Sequence, residues 1–334
     1  MKDVARMAGV STAVVSMVIN NKPGVSDLRR KRVLEVIEKT NYQPNANSRR
    51  LVMQKSFNIV AVIKKDSTPF GNLFYFEIAE GVLEKSREYG YNVTFVYLDD
   101  SDCSSALSKV FDKGDADGAI FFDDIDFSFI SELILRDVPY VIVDAHPETI
   151  EKSCICADYE LAAYTGTKHL IENNHKLIGF ICKCDATSKT FYTQVFTGFK
   201  NALDESALST PLALIQFGSD NDEDIYNCTD KLLNYKTIPT AIMCGSDMIA
   251  VRVINRLKEK GYHIPNDISI VGIDDIMIAN YIDPKLTTIR IDKAVMGMNA
   301  MELLINTIQN RSSDSIIVPS DNLIIRKSVK KLTL

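Results

Sequence analysis

Three groups of residues stand out as able to do chemistry, by type and by spacing. Arg29, Arg30, Lys31 and Arg32 follow one another, and Arg49 and Arg50 form a second basic pair. Guanidinium and ammonium groups at that density suit phosphate oxygens, although a charge run in isolation is more often a solvated face. Acids recur just after short apolar runs: Asp123-Asp124, Asp144, Asp220, Asp247 and Asp274-Asp275. An acid so placed either accepts hydrogen bonds from a ligand or caps the helix that follows. Cys154-Ile155-Cys156 and Cys182-Lys183-Cys184 would, on strands, turn two thiols to one side, as a metal site requires. Seven cysteines without a secretion signal read instead as reduced thiols in a cytoplasmic protein, packed as small apolar residues. The histidines at 146, 169, 175 and 263 have no metal spacing. No phosphate loop, dinucleotide fingerprint, nucleophile elbow or acid–base–nucleophile set is present. No cofactor, metal or catalysis is expected, and binding is the chemistry that remains.

The basic groups lie on short helical patterns. Val4, Ala5 and Ala8 share one face, Gly9 has the left-handed freedom of a C-terminal cap, and Ser11 stands where an N-cap oxygen belongs. Val14, Val15, Val18 and Ile19 form the stripe of a second helix. A short helix, a glycine-bearing turn and a second amphipathic helix are the layout of a helix-turn-helix, whose second helix enters the major groove. After the turn 21–24, Ser26 precedes a third helix to about Thr40, with Val33, Leu34 and Ile37 expected inward and Arg29 to Arg32 outward. Residues 45–53 are too short for a helix stable by itself, which suits a hinge that folds only on DNA with Leu51 as an apolar wedge. Residues 1–55 carry eleven Lys or Arg against four acids, a net of +7, whereas the chain as a whole is −6. The other 279 residues therefore hold −13: a polyanion-binding head on an acidic body.

At 334 residues the chain is long enough for two or three domains, and its composition is globular. No apolar run approaches the roughly 20 residues that span a bilayer, so no membrane partner is expected. From residue 57 short apolar strands alternate with helices, in two series that divide near 158. Strands are expected at 57–63, 92–97, 118–122, 140–143 and 153–157, then at 177–182, 212–217, 241–244, 268–273 and 286–291. Helices are expected at 74–89, 104–113, 127–136, 160–173 and 293–309, among others, with two short closing strands. Such alternation means parallel sheets covered on both faces, here in two similar α/β lobes. Ligands bind such lobes at the carboxyl ends of the strands, where the acids above fall.

The ordered motifs resemble the lactose/galactose-repressor family of bacterial transcription regulators nearly end to end. At the head these are Asp3-Val4-Ala5, Ala8-Gly9-Val10-Ser11, Val15-Ser16, Val18-Ile19-Asn20, Val25-Ser26 and the run Asn41 to Asn45, with Arg49 and Leu51 in the hinge. In the body they are Asn72-Leu73-Phe74-Tyr75, Val143-Asp144, His169-Leu170-Ile171, His175 to Ile178, Ile264 to Asp275, Pro284 to Thr288 and Met296-Gly297. The resemblance implies an α/β protein with an all-α helix-turn-helix head and hinge helix, then a two-lobed, periplasmic-binding-protein-like body of parallel sheets. The head would span 1–44 and the hinge 45–55. The body would span 56–334, lobe 1 at about 56–158 and 289–318, lobe 2 at about 159–286 and 319–334. It also implies DNA contact by Thr12, Ala13, Ser16, Met17, Asn20, Ser26, Arg30, Tyr42, Asn45, Arg49 and Leu51. Effector contact is implied for Phe70, Asn72, Phe74, Asp144, His146, Phe191, Ser246 and Asp274.

Departures from the family pattern carry information. Val14 and Met17 stand where the family has threonine and arginine, so bidentate guanine reading is lost and base reading falls on Thr12, Ala13 and Met17. Val195 stands at the ligand-clamping arginine, Asp220 at a stacking aromatic and Ser246 at an asparagine. The partners expected are a double-stranded operator read as a pseudo-palindrome by a homodimer, with no heptad tail for tetramers, and a small-molecule effector. Aromatic faces with carboxylates and no clamping arginine point to a neutral carbohydrate. A non-sugar effector or a protein co-regulator is the alternative. A transporter's solute-binding protein would need an export signal and no basic head, and an enzyme would need a catalytic constellation.

Overall fold

The computed structural model describes residues 1–19, 23–40, 55–64, 73–98, 111–122, 136–145, 154–184, 189–311 and 314–333. The chain forms two compact units, Met1–Phe57 and Asn58–Leu334. In the first, α1 (Lys2–Ala8), α2 (Thr12–Ile19) and α3 (Asp27–Thr40) close on a core of Val4, Ala5, Ala8, Val15, Val18 and Val33. The expected helices 104–113 and 127–136 and the hinge lie outside the described residues, apart from the last positions of each.

The second unit holds two six-stranded sheets. The first contains β1 (Asn58–Lys64), β2 (Asn92–Leu98), β3 (Gly118–Phe122), β4 (Tyr140–Val143) and β5 (Cys154–Ala157), with α4 (Leu73–Tyr89) between its first two strands. Then α5 (Tyr159–Glu172) opens the second lobe. There follow β6 (Ile178–Lys183), α6 (Lys189–Glu205), β7 (Ile215–Gly218), α7 (Asp222–Leu233), β8 (Ala241–Cys244), α8 (Asp247–Glu259), β9 (Ser269–Asp274) and β10 (Thr287–Arg290). Helix α9 (Lys293–Ile308) returns to pack on α4 and on β3 and β4, before β11 (Ile316–Val318) and β12 (Asn322–Ile324) close one sheet each.

Both sheets have one strand order, β2-β1-β3-β4-β5-β11 and β7-β6-β8-β9-β10-β12. Every pair is parallel except β10 with β12. The short apolar strands follow from this, since β3, β4, β5 and β8 are buried at every position. Such sheets present ligands at their carboxyl edges. Close helix packing fixes the first lobe: a Cβ on Gly297 would stand 2.0 Å from the Ile78 carbonyl oxygen, and one on Gly81 would stand 2.1 Å from that of Ala294. Only glycine lets the α4 and α9 backbones meet so closely.

The structure amends several expectations. Leu34 is exposed, and the inward stripe of α3 is Val33, Val36 and Ile37, the 3-and-4 spacing that one face allows. Phe57 takes a φ of 56°, which delays β1 to Asn58. Leu212 to Leu214 form a 3₁₀ turn, with the Leu214 amide bonded to the Pro211 carbonyl, so β7 begins only at Ile215. Ile289 and Arg290, assigned to the first lobe, pair with β9 and β12 in the second; the chain crosses back between Arg290 and Lys293.

Candidate nucleic-acid interface and effector cleft

In the head, Gly9 adopts a φ of 66° and ends α1, and the Ser11 hydroxyl accepts the Val14 amide at 3.3 Å to begin α2. Val14, Val15, Val18 and Ile19 turn toward the core, which leaves Thr12 and Ala13 exposed and Ser16 and Met17 half-buried. Ser26 is exposed just before α3, with Arg29, Lys31 and Arg32 exposed and Arg30 partly so. The proximity of two helices at a glycine turn thus presents hydroxyls, methyls and cations to solvent. Asn20, Tyr42, Asn45, Arg49 and Leu51 lie outside the described residues.

Between the lobes, Asp144 follows β4 and Asp274 ends β9, both at positive φ, 70° and 120°. Asp144 is doubly engaged. The Tyr159 hydroxyl donates to Oδ1 at 2.6 Å and the Tyr75 hydroxyl to Oδ2 at 3.1 Å. Tyr159 opens α5 in the second lobe, so its bond to Asp144 ties the lobes together. Phe191 packs edge-on against the Tyr159 ring, 4.7 Å between centroids, and Phe74 packs edge-on against Tyr75 at 5.3 Å. Burial first, then the charge of Asp144, pushes the Tyr159 hydroxyl well above its usual range, so it stays a donor.

A second tie centres on Lys293, a buried cation at the first position of α9. Its ammonium donates to the Asp274 carbonyl at 2.5 Å and to the Ile291 carbonyl at 3.3 Å, and lies 3.4 Å from Glu77 Oε2. Asp274 belongs to the second lobe and Glu77 to the first, so one side chain bridges both. The Phe74 ring stands 6.0 Å from the ammonium. Burial raises the Glu77 carboxyl above the ordinary carboxylate value. The Asp274 side chain is pushed up much further, by burial and then by Asp247. Asp247 itself, fully buried, accepts the Thr288 hydroxyl at 2.5 Å and the Ile276 amide at 3.0 Å, and burial pushes it up to about 7. Asp275, which follows Asp274, is held by arginines. It pairs with Arg326 at 2.5 Å and Arg290 at 2.7 Å, and although burial opposes them these arginines hold its carboxyl low.

The structure thus brings Phe74, Asp144 and Phe191 into one network with Tyr75 and Tyr159, and ties Asp274 to it through Lys293. It gives Ser246 a local task as N-cap of α8, accepting the Ile249 amide at 3.3 Å. Phe70, Asn72 and His146 lie outside the described residues. Val195 is wholly buried, and Asp220 is held by Arg252 at 2.5 Å. Tyr159, Glu77 and Lys293 were not singled out from the sequence; Asp247 was visible there only as an acid after an apolar run, and Tyr75 only as part of a family motif. One signal was available: a cation at the first position of a helix opposes the helix dipole and needs a partner elsewhere. Among the described residues no three His, Cys, Asp or Glu side chains converge as a metal site, and burial pushes the Cys156 thiol up to about 12.

The profile of the bacterial regulatory proteins of the lacI family matches residues 1–45, and that of the periplasmic binding protein-like domain matches residues 167–329. The HTH-type transcriptional repressor PurR of Mannheimia succiniciproducens is 33% identical across 99% of this chain and 98% of its own length. The chain belongs to the LacI family. This LacI-family chain is also 32% identical to the catabolite control protein A of Priestia megaterium, across 95% of the chain and 94% of that relative. A lac repressor dimer bound to operator and anti-inducer shares the fold, with a TM-score of 0.76 at 22% identity over 98% of both chains. A regulator CelR–cellobiose complex shares it as well, with a TM-score of 0.74 at 22% identity over 97% and 98%. The LacI-family chain is a DNA-binding transcriptional regulator, not an enzyme. No described helix is long and apolar enough to cross a membrane.

Proposed function

We propose that the chain is a cytoplasmic repressor that binds a pseudo-palindromic operator as a homodimer and responds to a neutral, hydroxyl-bearing effector, a carbohydrate or similar polyol, between its lobes. Thr12, Ala13, Ser16 and Met17 would face the major groove, Ser26, Arg30, Asn20, Tyr42, Asn45 and Arg49 the backbone, and Leu51 a kinked minor-groove step. Phe70, Asn72, Phe74, Asp144, His146, Phe191, Ser246 and Asp274 would surround the effector.

The observation that carries the effector reading is the balance of charge in the cleft. Lys293 is already answered by Glu77 and two carbonyls, and Val195 leaves no cation at the clamp. Among the described residues around Asp144 and Asp274 the buried cation is Lys293, already engaged, so an anionic ligand would add a burial cost that it does not offset. A neutral polyol can donate to Asp144 and accept from the raised Asp274 carboxyl. CelR, which shares the fold, is a regulator solved with cellobiose. Thermal-shift screening of neutral sugars, sugar phosphates and nucleobases tests the reading. Stabilisation by neutral sugars, with altered operator affinity, supports it. Stabilisation by anionic compounds alone, strengthened in Asp274→Asn, refutes it.

A further inference from the structure

The second helix of the head is notable for what it lacks. α2 reads Thr-Ala-Val-Val-Ser-Met-Val-Ile, with no charged and no amide side chain. Its outward face has two rows at four-residue spacing, Thr12 with Ser16 and Ala13 with Met17. Met17 does not continue its row into solvent. Its Cε reaches Gly24 and stands 3.2 Å from the point a Cβ there would occupy. Gly24 holds a φ of 98°, so this turn is built for glycine, and the thioether end packs against it.

We infer that the first turn of α2 reads thymine methyl groups through the methyls of Ala13 and Thr12, and that Met17 is a positioning residue. This rests on the reading of α2 as the helix that enters the groove. Methyl groups cannot form the bidentate pairs that select guanine or adenine, but they pack against the C5 methyl of thymine. The base pair facing Ala13 is therefore one that displays a thymine methyl. Small side chains also allow the helix backbone to approach the base edges closely. Met17 acts through Gly24: α3 starts at Asp27, three residues on, so their contact sets the basic face of Arg29, Arg30, Lys31 and Arg32 relative to the reading turn. That face supplies the affinity that does not depend on sequence.

The test uses the full-length protein and a duplex recovered by selection from a random library. Each thymine is replaced in turn by deoxyuridine, which removes only the major-groove methyl. One or two positions in each half-site should lose affinity by roughly fourfold, the value of one buried methyl-sized group. At those positions Ala13→Gly or Thr12→Ser should bind the thymine and uracil duplexes equally. Met17→Ala should weaken both duplexes by the same factor and keep their ratio, and Met17→Leu should restore most of the affinity. Discrimination that survives Ala13→Gly and Thr12→Ser but vanishes in Met17→Ala would overturn the inference, as would a selected site with no uracil-sensitive position. Failure to select any sequence would instead refute operator binding by the head.

Discussion

On α2 the most exposed residues, Thr12 and Ala13, are small and uncharged, whereas at the cleft Asp247, Asp274 and Lys293 are buried, and Asp144 and Lys293 are bonded across the two lobes. On the proposed function, the contrast follows from the ligands. DNA brings its own charge in a regular array, so exposed cations beside the reading helix suffice for affinity, and the helix itself is free to be plain. A small neutral ligand brings no such charge. Its site must be organised beforehand, with every buried polar group answered before the ligand arrives.

The largest effect should come from breaking the bridge between the lobes. Lys293→Met keeps the bulk but leaves the Asp274 and Ile291 carbonyls and Glu77 without their donor. The body is expected to lose about 3 kcal/mol in urea unfolding, chiefly because two buried carbonyls lose their donor, Glu77 being partly open to water. An unchanged midpoint would mean that the bridge is incidental. Next comes Tyr159→Phe, which removes the shorter of the two bonds to Asp144. A loss of about 2 kcal/mol is expected, with a smaller one for Tyr75→Phe.

Asp247 gives an effect whose sign can be read against pH. Its folded value of about 7 lies above the ordinary 3.8, so the native state binds the proton more tightly than the unfolded one. That contribution is full below the ordinary value and is lost as pH rises through about 7. His169 and His175, whose values burial lowers, act oppositely and cost stability as pH falls below 6.5. The difference between the wild type and Asp247→Asn in urea unfolding should therefore shrink steadily from pH 4 to 7. A pH-independent difference would contradict the buried, protonated carboxyl. The smallest effects are the caps: Ser11→Ala and Ser246→Ala should each cost about 1 kcal/mol, the first in the head and the second in the body. If Ser246→Ala abolishes effector binding while barely changing stability, its hydroxyl serves the ligand as well as the helix.

The same contrast explains what could be read from the sequence. Apolar runs alternating with helical stripes gave both lobes, because period and length are local properties of the chain. The head was legible for the same reason, from Gly9 and Ser11 to the stripe of α2. The cleft network was not. Tyr159 reaches Asp144 fifteen residues away, and Tyr75 reaches it across sixty-nine. Such partners are chosen by packing, which no periodicity records. Asp274 was visible as an acid after a strand, but its high proton affinity depends on burial and then on Asp247, and both are set by the fold. Met17 was legible as a departure from arginine; its packing on Gly24 was not.

The central claim is that one region of this chain is built for a polyanion and the other for an uncharged ligand. Operator affinity and the affinity of the stabilising compound should be measured on the same full-length protein between 50 and 300 mM KCl. The account predicts a steep fall for DNA, with a log–log slope of about −0.9 for each phosphate neutralised, and a flat line for the effector. Effector affinity that falls with salt alongside that of DNA would contradict it.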